Sequence, residues 1–109
     1  MTLVIAKEYS KTPGGRFKKE GAYSGEEFRT SKLLPAYIKA KTKGEKLVVD
    51  LDGGYGYGSS FLEEAFGGLA RELRDKDILD RITIKSDEEP ILAEDIRNYM
   101  EKELGRLTK

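Results

Sequence analysis

Two adjacent serines, Ser59 and Ser60, follow the turn Gly53-Gly54-Tyr55-Gly56-Tyr57-Gly58 and open an apolar helical stripe. At the start of a helix, backbone N–H groups are free and the macrodipole favours negative charge. A hydroxyl there suits a phosphoryl group or a docked partner more than covalent catalysis. Asp50 and Asp52 precede the turn and alternate onto one side of a strand, with Asp50 the deeper. Such aspartates either accept hydrogen bonds from turn N–H groups or hold a hard cation with the help of a phosphate. Glu63 and Glu64 are neighbours on the helix, diverge in direction and make a poor acid–base couple, so Glu64 is expected to face solvent. Tyr55, Tyr57 and Phe61 cluster around the turn. They serve either as an aromatic interface or as a lid folded onto the chain's own core.

Several chemistries lack their residues. The chain has no histidine and no cysteine, which removes the commonest general base, thiolate nucleophiles, disulfides and thiolate zinc sites. The glycine turn lacks the Lys that a P-loop needs after its last Gly. The dinucleotide pattern G-x-G-x-x-G started at Gly54 would end on Ser59, and no G-x-S-x-G elbow is present. Lys plus Arg and Asp plus Glu both number 20, giving a formal net charge of zero, whereas nucleic-acid modules usually carry a basic excess. No apolar run reaches the length of a membrane span, and the first residues turn charged too soon for a signal peptide. A cytoplasmic protein without cofactor or metal is expected.

The elements that must hold these residues can be read from periodicity. A length of 109 residues with 38% apolar and 37% charged residues predicts one domain over 1–109 with a charged exterior. Leu3 to Ala6 reads as a strand. Pro13, Gly14 and Gly15 make a turn, and Arg16 to Glu20 returns as an antiparallel partner. Ser24 and Glu27 have capping-box spacing at the start of a first helix, which Pro35 kinks or splits near Lys32 and Gly44 stops. Leu47 to Leu51 is a central buried strand. Ser59 or Ser60 caps the second helix, again with capping-box spacing from Ser60 to Glu63. Leu62, Ala65, Phe66, Leu69, Ala70 and Leu73 form its core stripe. Gly67 and Gly68 lie in mid-helix, where close packing against the sheet or a neighbouring helix would repay their cost. Ile82 and Ile84 mark another strand. Pro90 opens a third helix along Ile91, Leu92, Ile96, Tyr99, Met100 and Leu104. This order predicts an α/β fold: a small mixed sheet of about four strands flanked by three helices.

The segments GRF, EGAYSGEEFR and VDLDGGYGYGSSFLEEAFGGL together resemble the STAS-like domain family of unknown function, over roughly Arg16 to Leu73. The central third, from Asp50-Leu51-Asp52-Gly53 to Ser59-Ser60 and Gly68, more distantly resembles the STAS domains of bacterial anti-sigma factor antagonists. That resemblance implies a sheet flanked by helices and a serine, carried over to Ser59, that a GHKL-type ATPase phosphorylates to block partner binding. Gly58 stands where the antagonists have Asp, which removes a charge near the acceptor. Phe61 stands where they have Gly, which puts a large side chain on the approached surface.

The expected function is a non-enzymatic regulatory module that binds a protein partner, with no nucleic acid or membrane involved. Its surface runs from Tyr55 to Glu64 and includes Tyr57, Gly58 and Phe61 beside Asp50 and Asp52, with Ser59 or Ser60 as the phosphorylated residue. A small-ligand or nucleotide-binding domain using the glycine-rich loop is the alternative.

Overall fold

The computed structural model describes residues 1–106; positions 107–109 of the expected domain lie outside the described residues. Three strands form one parallel sheet in the order β1 (Thr2–Val4), β2 (Leu47–Asp50), β3 (Ile82–Lys85). Leu3 pairs with Val49, and Val49 with Ile84. The sheet is built on β2 because its branched residues tolerate burial on a pleated surface: Leu47 and Val49 are fully buried, while Val48 and Asp50 are half-buried. Parallel neighbours need crossover connections, and helices supply them.

The sheet departs from the expected mixed, four-stranded one because Arg16 to Glu20 is not a strand. Lys18–Glu20 forms a 3-10 turn. Glu20 Oε1 accepts hydrogen bonds from the N–H groups of Arg16 (2.9 Å) and Phe17 (2.8 Å), so two donors a strand would offer to a neighbour are already engaged. Only Phe17 is apolar there, and one ring cannot specify a buried face. Without that hairpin the remaining strands all run the same way. The first strand is also shorter than expected. The chain turns after Val4 into α1 (Ile5–Glu8), and the Val4 N–H donates to Glu8 Oε2 at 2.6 Å.

The second helix of the fold, α2, spans residues 25–42. It comprises Gly25–Phe28, a π-helical turn at Arg29–Leu33, and Leu34–Thr42. Ser24 caps it as expected, accepting from the Glu27 N–H at 3.0 Å, but Glu27 does not return the bond: its carboxylate accepts from the Tyr9 hydroxyl instead. The π turn sits just before Pro35. Proline lacks an N–H and crowds the carbonyl four residues back, and a wider turn relieves both. Thr30 and Ser31 hydroxyls donate to the carbonyls of Glu26 and Glu27. The helix therefore continues through the proline. It ends in a Schellman motif at Gly44 (φ 70°), with Glu45 N–H donating to Ala40 O and Gly44 N–H to Lys41 O.

Helix α3 spans residues 59–73, again with a π turn, at Glu63–Gly67, between Ser59–Leu62 and Gly68–Leu73. It packs between α2 and α5 (Ile91–Arg106), with the short α4 (Ile78–Arg81) leading into β3. Every residue from Glu64 to Ala70 is buried. An amphipathic helix buries one stripe; the π turn rotates the face midway, so both sides of α3 meet protein. Phe28, Phe61 and Phe66 are fully buried and form an aromatic core with Tyr9, Phe28 and Phe61 stacking at 5.8 Å between centroids. On α5, Ile96, Met100 and Leu104 are buried as the periodicity requires, but Ile91 is exposed. Among the described residues no helix is long and apolar enough to cross a membrane.

Candidate functional site at the C-terminal edge of the sheet

In a parallel sheet all strand C-termini share one edge, and the loops leaving them form the crevice where open α/β sheets carry their sites. Here the three loops interlock. The Tyr55 N–H donates to Lys11 O at 2.9 Å, tying the glycine loop to the chain after α1. The Gly53 N–H donates to Glu88 Oε1 at 2.8 Å, tying it to the loop after β3. Gly53 (φ 91°) and Gly56 (φ 129°) adopt backbone that only glycine enters readily, which lets six residues fold back on themselves.

Asp52 is the knot. Its carboxylate accepts from Lys85 Nζ at 2.8 Å and from the N–H groups of Asp87 (3.1 Å) and Glu88 (3.0 Å). The Glu88 backbone bond, then the Lys85 ammonium, bring its pKa down to about 2. Lys85 is correspondingly raised, foremost by Asp52. Asp50 accepts from the Asp52 N–H at 2.9 Å and stands 3.9 Å from Lys85. Both aspartates thus bind turn and loop N–H groups. Among the described residues no group of three or more acidic side chains is placed to hold a metal ion.

The three rings divide between inside and outside. Tyr55 is 82% exposed. Tyr57 is half-buried and folds down, its hydroxyl donating to Leu51 O at 2.9 Å. Burial first, then the charges of Asp50, Asp52 and Glu88, push its phenol up to about 12. Phe61 does not stand on the surface as expected; it is fully buried, 5.9 Å from the Tyr57 ring and against Phe28. It lies one turn before Ala65 on the inward face of α3, so its bulk belongs to the core.

Ser59 and Ser60 are exposed on the first turn of α3, but neither caps it. Gly58 is the N-cap residue (φ −74°, ψ 149°) and has no side chain to offer. Among the described residues neither hydroxyl has a hydrogen-bond partner. The expected bond from Glu63 back to Ser60 is absent because Glu63 is held elsewhere: by Arg16 at 2.5 Å and Arg71 at 2.6 Å. Arg71 foremost keeps its pKa below the ordinary carboxylate range. Glu64 does not face solvent as expected. It is buried, with Arg29 at 2.5 Å and Arg16 and Arg71 at 3.5 and 3.6 Å.

Sequence reasoning did not find this arginine–glutamate network, and the glycine pair was the signal. A Cβ at Gly68 would strike the Arg29 guanidinium, and one at Gly67 the Glu63 carboxylate. Gly68 packs closely against a neighbouring helix, as one of the two expected arrangements has it, through Arg29 of α2, and Gly67 against Glu63 of its own helix. The network turns Glu63 and Glu64 away from the serines and neutralises them. The first turn of α3 is left with free hydroxyls, free backbone N–H groups and little opposing charge, an arrangement able to carry an anion or a docked chain.

A family model described as a STAS-like domain of unknown function matches residues 24–92, well over half of the chain. No curated protein and no solved structure matches it.

Proposed function

The chain belongs to the STAS-like domain family of unknown function, and on that premise we propose that it is a non-enzymatic regulatory module that docks a protein partner at this edge of the sheet, switched by phosphorylation of Ser59. One arrangement carries the reading: two exposed hydroxyls on the first turn of α3, unbonded among the described residues, beside a glycine loop whose tip tyrosine is 82% exposed. A large exposed ring on a loop fastened at both ends is a rigid anchor for a partner. The partner class is a GHKL-type ATPase acting as serine kinase. Pairing of Glu63 and Glu64 with arginines favours the switch, since a phosphoryl group on Ser59 then meets the helix dipole without two free carboxylates against it. A nucleotide in the glycine loop has weaker support. Asp50, Asp52 and Asp87 crowd that loop with Lys85 as the cation they share, Glu88 accepts from its Gly53 N–H, and like charge repels phosphates.

The test is phosphoryl transfer. The protein is incubated with ATP and native lysate, then analysed by intact mass and fragment mapping. One added phosphoryl group on Ser59, absent from Ser59→Ala, is expected. No transfer, or transfer to another residue in wild type, refutes the switch.

A further inference from the structure

A second feature lies elsewhere on the surface, where α3, α5 and the loop carrying Arg16 meet. A cleft of about 330 Å³ opens there, walled by Tyr99 and lined by four cations, Arg16, Arg71, Lys102 and Arg106, against two carboxylates, Glu63 and Glu103. We propose that this cleft binds a small soluble anion bearing a phosphate or pyrophosphate group.

The charge count favours it. The whole chain is neutral, yet the lining sets four cations against two carboxylates, and one positive charge stays in excess when Glu64, beside Arg16 and Arg71, is counted with them. The two carboxylates are already engaged. Glu63 holds Arg71 and Arg16, and Glu103 holds Arg71 at 2.8 Å with Arg106 at 3.6 Å. Arg71 is thereby fixed by Glu63 and Glu103, with Glu64 3.6 Å away, and made rigid. Arg16 shares one nitrogen between Glu63 and Glu64, leaving the rest of its fork for another acceptor. Lys102 is exposed and, among the described residues, has no acidic partner. Lys102 and Arg106 lie on α5. Arg16 and Arg71 come from other elements, so the convergence is not one helix end. Guanidinium groups held in place bind tetrahedral oxyanions through paired N–H bonds. The volume sits at the small end of ligand pockets, which fits a phosphorylated metabolite and not a polymer.

The experiment titrates the whole chain with inorganic phosphate and then pyrophosphate, at ionic strength held constant with chloride, following backbone and arginine side-chain resonances by NMR. Saturable shifts centred on Arg16, Arg71 and Arg106, tighter for pyrophosphate, are expected. The double variant Lys102→Ala/Arg106→Ala replaces two exposed side chains and so keeps the fold. It should weaken binding by roughly tenfold or more with an unchanged melting temperature. Phosphatidylglycerol vesicles should not sediment the protein; sedimentation reversed by the double variant would replace the soluble ligand with a lipid headgroup and overturn the proposal. Shifts reproduced by chloride, shifts that never saturate, or equal affinity in the double variant also overturn it.

Discussion

Gly68→Ala should destabilise the protein, although helix propensity alone says the opposite. An alanine in a helix interior gains about 1 kcal/mol over glycine. At position 68 the new methyl group occupies the space of the Arg29 guanidinium. That guanidinium donates to Glu64 Oε2 at 2.5 Å and to the Glu64 carbonyl at 2.8 Å, and both side chains are largely buried. Breaking a buried pair by removing one partner costs about 3–5 kcal/mol. Here the low end applies, because Arg16 and Arg71 remain near Glu64 at 3.5 and 3.6 Å. A loss of about 3 kcal/mol against a gain of about 1 leaves a net cost of about 2 kcal/mol. Urea denaturation reads this as a lower midpoint at unchanged slope. Gly105→Ala is the control: it lies in α5 with open space around its added methyl group, and should stabilise by about 0.5 kcal/mol. In an Arg29→Met background, Gly68→Ala should become stabilising. A Gly68→Ala midpoint that rises alongside that of Gly105→Ala would refute the account of the network.

Other consequences are separable. Ser59→Asp places a carboxylate on the first turn of α3 and should stabilise by about 0.3–1 kcal/mol at low salt, while calorimetry against a confirmed partner shows weakened binding; equal binding defeats the switch. Tyr55→Ala should shift stability by less than about 0.5 kcal/mol, since the ring is 82% exposed, yet reduce partner affinity; unchanged affinity removes Tyr55 from the interface. Phe61→Ala should cost about 3–5 kcal/mol, and a small loss would mean the ring is not in the core. Asp52 is lowered from its ordinary 3.8 to about 2. Its folded pKa is depressed, so its contribution to stability is full above pH 4 and is lost as pH falls toward 2. A carboxyl chemical-shift titration with its midpoint near 3.8 instead would contradict the bonds to Lys85, Asp87 and Glu88.

How far the sequence could be read depended on whether a signal was local. β2 was legible from LVVDL, the cap at Ser24 from its spacing to Glu27, and the stop at Gly44 from its glycine, because each is decided within a few residues. The π turns were not legible, since a wider turn leaves no mark on composition. Their effect is that Glu64 faces inward, whereas a straight 3.6-residue reading leaves it outside; Phe61, one turn before Ala65, is inward by that same period and was misplaced by grouping it with the rings of the turn. The expected strand from Arg16 to Glu20 failed because Glu20 ties up its own N–H donors. The serines were placed correctly at a helix start and exposed, but their capping role was wrong by one residue, Gly58 holding that position. The arginine network joins residues as far apart as 16 and 64, a distance that periodicity cannot span.

The sheet has two flanks of unequal character. Along β1 the Val4 N–H is already claimed by Glu8, while β3, at the other end of the strand order, has no such guard among the described residues. Open flanks on both sides let identical molecules string together without limit; one open flank lets a molecule gain a single neighbour and then stop. The exposed hydrogen bond of one glutamate thus takes an outward donor from the β1 flank and makes pairing there less favourable than along β3.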